Sequence, residues 1–204
     1  MKINSNGWTI VLAGNWNRHI LSPEWAAKHI FAVEKLKVEF ALNIALAPRF
    51  SSPDVAMMPS ENAVVFMPLQ QTDECLLKTE QFVHNLINKL PYTPMSAFGI
   101  NFSFIENNPD SDLLALFNIK DGQGMNDFGC EVRGSGIIRQ LQIEGTTLNL
   151  SIGHSEEGIS FDFNFHYDVS DAARANELLE GQAVANKVMA YRMLSEIYHL
   201  EVEE

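Results

Sequence analysis

Between Met95 and Glu106 the side chains of Phe98, Ile100, Phe102 and Phe104 alternate with Ala97, Gly99, Asn101 and Ser103. A two-residue period places the large apolar groups on one face of a β-strand. The other face is small or polar as far as Ile105, which leaves room for a helix or another backbone to approach. An interior strand is expected, with the chain organised around it.

The same alternation marks residues 7–14 as a first strand (Trp8, Ile10, Leu12). Residues 35–47 form a second, longer one (Leu36, Val38, Phe40, Leu42, Ile44, Leu46), and residues 61–69 a third. Ser22-Pro23-Glu24 is a helix start: a hydroxyl cap, proline in the first turn and an acid at the positive end of the dipole. That helix is expected to end near Val33. The proline-rich segment 48–59 reads as a loop. Thr72 or Asp73 caps a second helix, with Leu76, Thr79, Phe82, Val83, Leu86, Ile87 and Leu90 at helical spacing, and Pro91 stops it. The order βαββαβ over residues 1–108 suits a ferredoxin-like sandwich.

A seam is expected at Asn107-Asn108-Pro109-Asp110, with residues 109–204 as the second half of an α+β chain, or as its continuation in one domain. A short helix over 110–117 and a glycine-rich loop over 120–129 come first. A three-stranded antiparallel meander follows, over residues 131–143, 147–154 and 158–168. Pairing the last two strands through their turn sets Leu148, Leu150 and Ile152 against Phe165, Phe163 and Phe161. Thr147, Asn149 and Ser151 then face His166, Asn164 and Asp162. Residues 170–199 read as one long helix capped by Ser170-Asp171. Its apolar arc, which includes Met189, Tyr191, Met193 and Ile197, is wider than one sheet face needs. A second contact is implied, with the N-terminal half or with another copy of the chain. The acidic tail beyond it is expected to fray.

Composition alters this picture mainly through charge. The chain carries a net −12, with 8 Lys/Arg against 9 Asp/Glu in residues 1–106 and 6 against 17 in residues 107–204. A field of that sign repels phosphate backbones and anionic lipid and attracts a basic partner. No membrane span or export signal is read, so a cytoplasmic location is expected. Asn101-Phe-Ser and Asn149-Leu-Ser therefore count as chance matches to the glycosylation pattern. Cys75 and Cys130 are expected as buried free thiols.

Candidate chemistry is sparse. No histidine stands at metal-ligand spacing, the Gly122-Gln-Gly124 and Gly134-Ser-Gly136 pieces lack phosphate-loop context, and no cofactor or metal is expected. Asp162, His166 and Asp168 share the wet face of one strand, as any solvated strand would arrange them. The polar loop 15–19, with Trp16, Arg18 and His19, suits recognition, the alternative being Trp16 packed as a lid over the sheet; Asn101, a polar side chain on an otherwise slim face, reads as a buried structural hydrogen bond or else as a ligand contact. The expected function is a non-enzymatic interaction protein: an adaptor, inhibitor or chaperone-like protein that self-associates through its last helix and binds a basic protein. The alternative is a small-molecule binder or enzyme with a pocket between the halves. A nucleic-acid mimic is a third reading.

Overall fold

Residues 95–106 form an extended strand, paired along both edges and buried on its aromatic side, in the computed structural model, which describes residues 1–40, 48–118, 121–143 and 145–203 (backbone alone at 123 and 126). The elements are β1 (Lys2–Ile3), a 3-10 turn (Ser5–Gly7), β2 (Thr9–Gly14) and α1 (Pro23–Ala26), which runs into a π turn (Ala27–Phe31). Four strands follow, β3 (Lys37–Glu39), β4 (Arg49–Ser51), β5 (Val55–Pro59) and β6 (Ala63–Pro68), then α2 (Asp73–Lys89) and β7 (Met95–Glu106). The rest comprises α3 (Ser111–Ala115), α4 (Gly122–Asp127), β8 (Ser135–Ile143), β9 (Thr146–Ser155), β10 (Gly158–Asp168), α5 (Ala172–Leu179) and α6 (Gln182–Tyr198).

All ten strands join one antiparallel sheet of order β3-β4-β5-β6-β2-β7-β10-β9-β8, with β1 beside the end of β7. The architecture is therefore mixed α and β, built on one large sheet. Strand β7 pairs with β10 from Ala97↔Asp168 to Glu106↔Ile159, so residues 1–108 and 109–204 meet along a continuous ladder. The register of the last two strands is the one their side-chain pattern predicts: Leu148↔Phe165, Leu150↔Phe163 and Ile152↔Phe161.

One face of the sheet carries the core. Phe98 stacks on Tyr167, Phe102 meets Trp8 and Phe165 edge-on, and Phe104 meets Phe163. Helices α2, α5 and α6 lie over this face; Tyr191 and Tyr198 of α6 pack edge-on against Phe104 and Phe161. The slim face of β7, expected to admit a helix or another backbone, receives the Ser5–Gly7 turn, against Ser103. No helix among the described residues is long and apolar enough to cross a membrane.

Several expectations are corrected. Between α1 and α2 the described residues form four strands rather than two, because residues 48–59, read as a loop, fold into a hairpin. The Ser52 hydroxyl closes its turn, accepting from Val55 N at 3.1 Å and donating to Val55 O at 3.0 Å. Pro53 falls in that turn and Pro59 at the end of β5, positions where a missing N–H is tolerated. The strand expected over 35–47 is observed only as β3; Phe40 is 76% exposed, and Leu42, Ile44 and Leu46 lie outside the described residues. The glycine-rich stretch closes a helical turn, α4, through bonds such as Met125 N to Asp121 O (3.0 Å), since local backbone bonds need no apolar stripe.

The single C-terminal helix is two. Gly181 adopts a left-handed φ of 74° and breaks it, and the N-terminus of α6 is capped from another element: both carboxylate oxygens of Glu80 on α2 accept backbone N–H bonds, from Gly181 (2.7 Å) and Ala183 (2.9 Å). Asp171 caps α5, and the Arg174 N–H holds its carboxyl below the usual aspartate range. The tail, expected to fray, folds back on the core over residues 199–203. His199 turns left-handed, Leu200 N donates to Leu194 O (3.0 Å), and Leu200 and Val202 pack on the core.

Glu80 is 6% exposed, and replacing it leaves the buried Ala183 N–H and the half-buried Gly181 N–H without their acceptor. Glu80→Ala is expected to lower the unfolding free energy by about 2–4 kcal/mol in urea titration; a change under about 0.5 kcal/mol would contradict the cap.

Candidate functional site

The loop after β2 is held by its backbone. Gly14 N donates to Asn62 O (3.0 Å), Asn15 N to Pro94 O (2.9 Å) and Trp16 N to Glu61 O (2.8 Å). Trp16 turns inward, 2% exposed, with its indole N–H on Leu12 O at 3.0 Å; it packs the end of the sheet. Arg18 reaches Glu61 at 3.5 Å in an exposed pair, worth at most about 1 kcal/mol. His19 is exposed, its backbone N–H on Asn17 Oδ1 (3.1 Å). Together with Asn15, Asn17 and Asn62 these residues line a shallow, polar pocket of about 410 Å³.

Asn101 is not part of that pocket. Gly14, where the loop begins, pairs with Met95, six residues along β7 from Asn101, a separation of about 20 Å. The structure thus groups Trp16, Arg18 and His19 and leaves Asn101 apart. Asn101 belongs to a row of side chains that crosses five strands on the open face. Gln140 Nε2 donates to Asn149 Oδ1 (3.1 Å), Asn149 Nδ2 to Asn164 Oδ1 (3.0 Å), Asn164 Nδ2 to Asn101 Oδ1 (2.6 Å) and Asn101 Nδ2 to Thr9 Oγ1 (2.9 Å). Each pair is directly opposite in register, and every bond points the same way, from β8 toward β2. Gly99 makes the space: a Cβ there would sit 2.9 Å from Asn164 Nδ2. An amide row has no group that titrates near neutral pH. It binds by hydrogen bonding or holds the sheet in register, and it transfers no proton.

The flanks of the row are ionisable but dispersed. Ser103 Oγ donates to Asp162 Oδ1 (2.6 Å), and His166 Nε2 lies 3.1 Å from Asp168 Oδ1 at the exposed end of β10. His154 is on the other face, against Phe117. Among the described residues no group of three or more His, Cys, Asp or Glu is placed to hold a metal ion. Cys75 is buried, as expected, with Sγ 2.9 Å from Asp54 O, whereas Cys130 is exposed after α4.

On α6, Met189, Tyr191 and Met193 are half-buried against the core, and Lys187 Nζ stands 5.1 Å over the Tyr191 ring. Ile197, 57% exposed, is the member of the expected interface set that faces solvent, together with Val188. The wide arc is thus largely occupied by sheet aromatics and the folded-back tail. A buried polar cluster ties α6 to β10: Asn186 Nδ2 donates to Tyr167 Oη (2.8 Å), which in turn lies 3.0 Å from Gln182 Oε1, and burial pushes the phenol above its ordinary range.

Glu80 and the amide row escaped the sequence reading. The helical period gave no sign that Glu80 faces inward. The alternation did place Asn149 opposite Asn164, which was the available signal for the row. Comparison with protein-family models and with curated proteins gives no match.

Asn164 sits at the centre of the row with a neighbour on either side. Asn164→Ala is expected to cost about 1–3 kcal/mol in chemical denaturation. A double-mutant cycle with Asn101→Ala should show coupling of at least about 0.5 kcal/mol; strict additivity would mean that the row is not a network.

Proposed function

We propose that the protein is a non-enzymatic, cytoplasmic interaction protein, an adaptor, inhibitor or chaperone-like partner, that self-associates and binds a basic protein through its acidic C-terminal half. The observation that supports it is where the folded chain puts its carboxylates. Asp110, Asp112, Glu156 and Glu157 are all exposed, and Asn107 Nδ2 on Glu157 O (3.0 Å) holds the β9–β10 turn against the segment before α3. These acids therefore share one end of the sheet, and their like charge favours an incoming positive surface. Glu131, Glu177 and Glu196, by contrast, each pair with an arginine of the same segment. In the same reading, β5, β6, β2 and β7 with their helices are a ferredoxin-like unit, extended by β3–β4 on one side and by a three-stranded meander on the other.

Affinity capture from the native host tests the charge reading. On the wild-type chain a basic protein should be retained at low salt and released as salt rises. A Glu156→Lys, Glu157→Lys, Asp110→Lys variant with an unchanged circular dichroism spectrum should retain at least about tenfold less of it. Equal retention on both columns, or retention indifferent to salt, overturns the proposal.

A second reading rests on the pocket beside Trp16. Its volume is within the range of small-ligand sites, and its amides, guanidinium and carboxylate could orient a polar molecule. A thermal-shift screen of polar metabolites should then find a ligand whose stabilisation disappears in Arg18→Ala. A hit that survives this substitution binds elsewhere and removes the pocket reading.

A further inference from the structure

The two margins of the sheet are unlike. Strand β3 at one end is three residues long and carries a Lys37–Glu39 ion pair (2.7 Å), the short and charged form that keeps an edge from recruiting another strand. Strand β8 at the other end runs for nine residues, SGIIRQLQI, and among the described residues pairs only with β9. It holds no proline and no carboxylate; Arg139 is its one charge, and β9 has none. In a half of the chain with 17 acids, the one long open margin is free of them. Ile138 is 79% exposed on its outer side, and Ile137, Leu141 and Ile143 are only half-buried on its inner side.

We infer that a second copy of this chain occupies that margin, β8 pairing antiparallel with β8 about a two-fold axis at Gln140 so that the sheet continues from one copy into the other. The inference rests on the proposed self-association and moves its seam from α6 to β8. The register is set by the side chains. With the axis at Gln140, Ile137 of each copy faces Ile143 of the other on the inner side, and Arg139 faces Leu141. On the outer side Ile138 is covered by the stem of Gln142, and Gln140 meets its own counterpart. The two amides can then exchange reciprocal hydrogen bonds, because Gln140 uses one N–H on Asn149 and its carbonyl oxygen has no partner among the described residues. The amide row, which ends in solvent at Gln140, would run unbroken from Thr9 of one copy to Thr9 of the other. Arg139 Nη1, buried without a hydrogen-bond partner among the described residues, lies at the same seam. Two copies of net charge −12 repel, so pairing should tighten as salt is added.

Light scattering on the purified full chain, with circular dichroism as the folding check, tests this through a charge swap at the axis. Wild type should be a dimer. Gln140→Glu and Gln140→Lys, at an exposed position, should stay folded, and each alone should dissociate at least about tenfold more readily at low salt, since like charges then face each other. An equimolar mixture of the two should recover the dimer. A wild type that is monomeric at micromolar concentration removes both this inference and the self-association it rests on. A wild-type dimer that both substitutions leave intact, or one broken by Ile197→Glu but not at Gln140, removes the β8 seam alone and returns the contact to α6.

Discussion

The fold is organised around one strand that has neighbours on both edges and its large apolar side chains on a single face. Strand β7 is bonded to β2 on one side and β10 on the other, and its four large side chains are each 1% exposed or less. A backbone buried this way must satisfy its N–H and C=O groups with other strands, since water does not reach them. That requirement joins the two halves of the sequence. Residues 159–168 come to lie beside residues 97–106 because each strand presents a complementary row of large apolar side chains, Phe161, Phe163, Phe165 and Tyr167 against Phe104, Phe102, Ile100 and Phe98.

The helical layer depends on a contact made at long range. Glu80 leaves α2 to cap α6, placing a carboxylate in a dry site where two backbone donors satisfy it. A helix N-terminus is a favourable place for such a charge, because unpaired N–H groups and the helix dipole both favour an anion. The break at Gly181 and the cap belong together. Without the left-handed residue the chain would continue as one helix, and no N–H groups would be free to meet Glu80.

With α2, α5 and α6 on the aromatic side, the opposite face of the sheet is left largely open. That face is not uniform. Over β5, β6 and β2 it carries Met58, Val65 and Val11, and over β10, β9 and β8 it turns to hydrogen-bonded amides. Four exposed carboxylates, of Asp110, Asp112, Glu156 and Glu157, lie at the end of the sheet where the β9–β10 turn meets the segment before α3.

The sequence by itself determined the elements whose period is dictated by burial on one side: β2, β7, α2, the β9–β10 register, and the helix starts at Ser22 and Thr72. In each of these the side chains nearest in sequence carry the information, so reading a period of 2 or 3.6 is enough. Trp16 as a candidate ligand contact, Ser52 as part of a plain loop and residues 170–199 as one helix were legible only in part. Whether a tryptophan turns inward, a hydroxyl closes a hairpin or a glycine breaks a helix depends on what lies opposite. Only the tertiary structure decided that Gly99 clears a path for the Asn164 amide, that Glu80 meets Gly181 and Ala183 across about a hundred residues, and that β8 is left at the margin. Those outcomes are set by pairings between segments distant in the chain, and local periodicity carries no record of which strand or helix end will come to stand beside another.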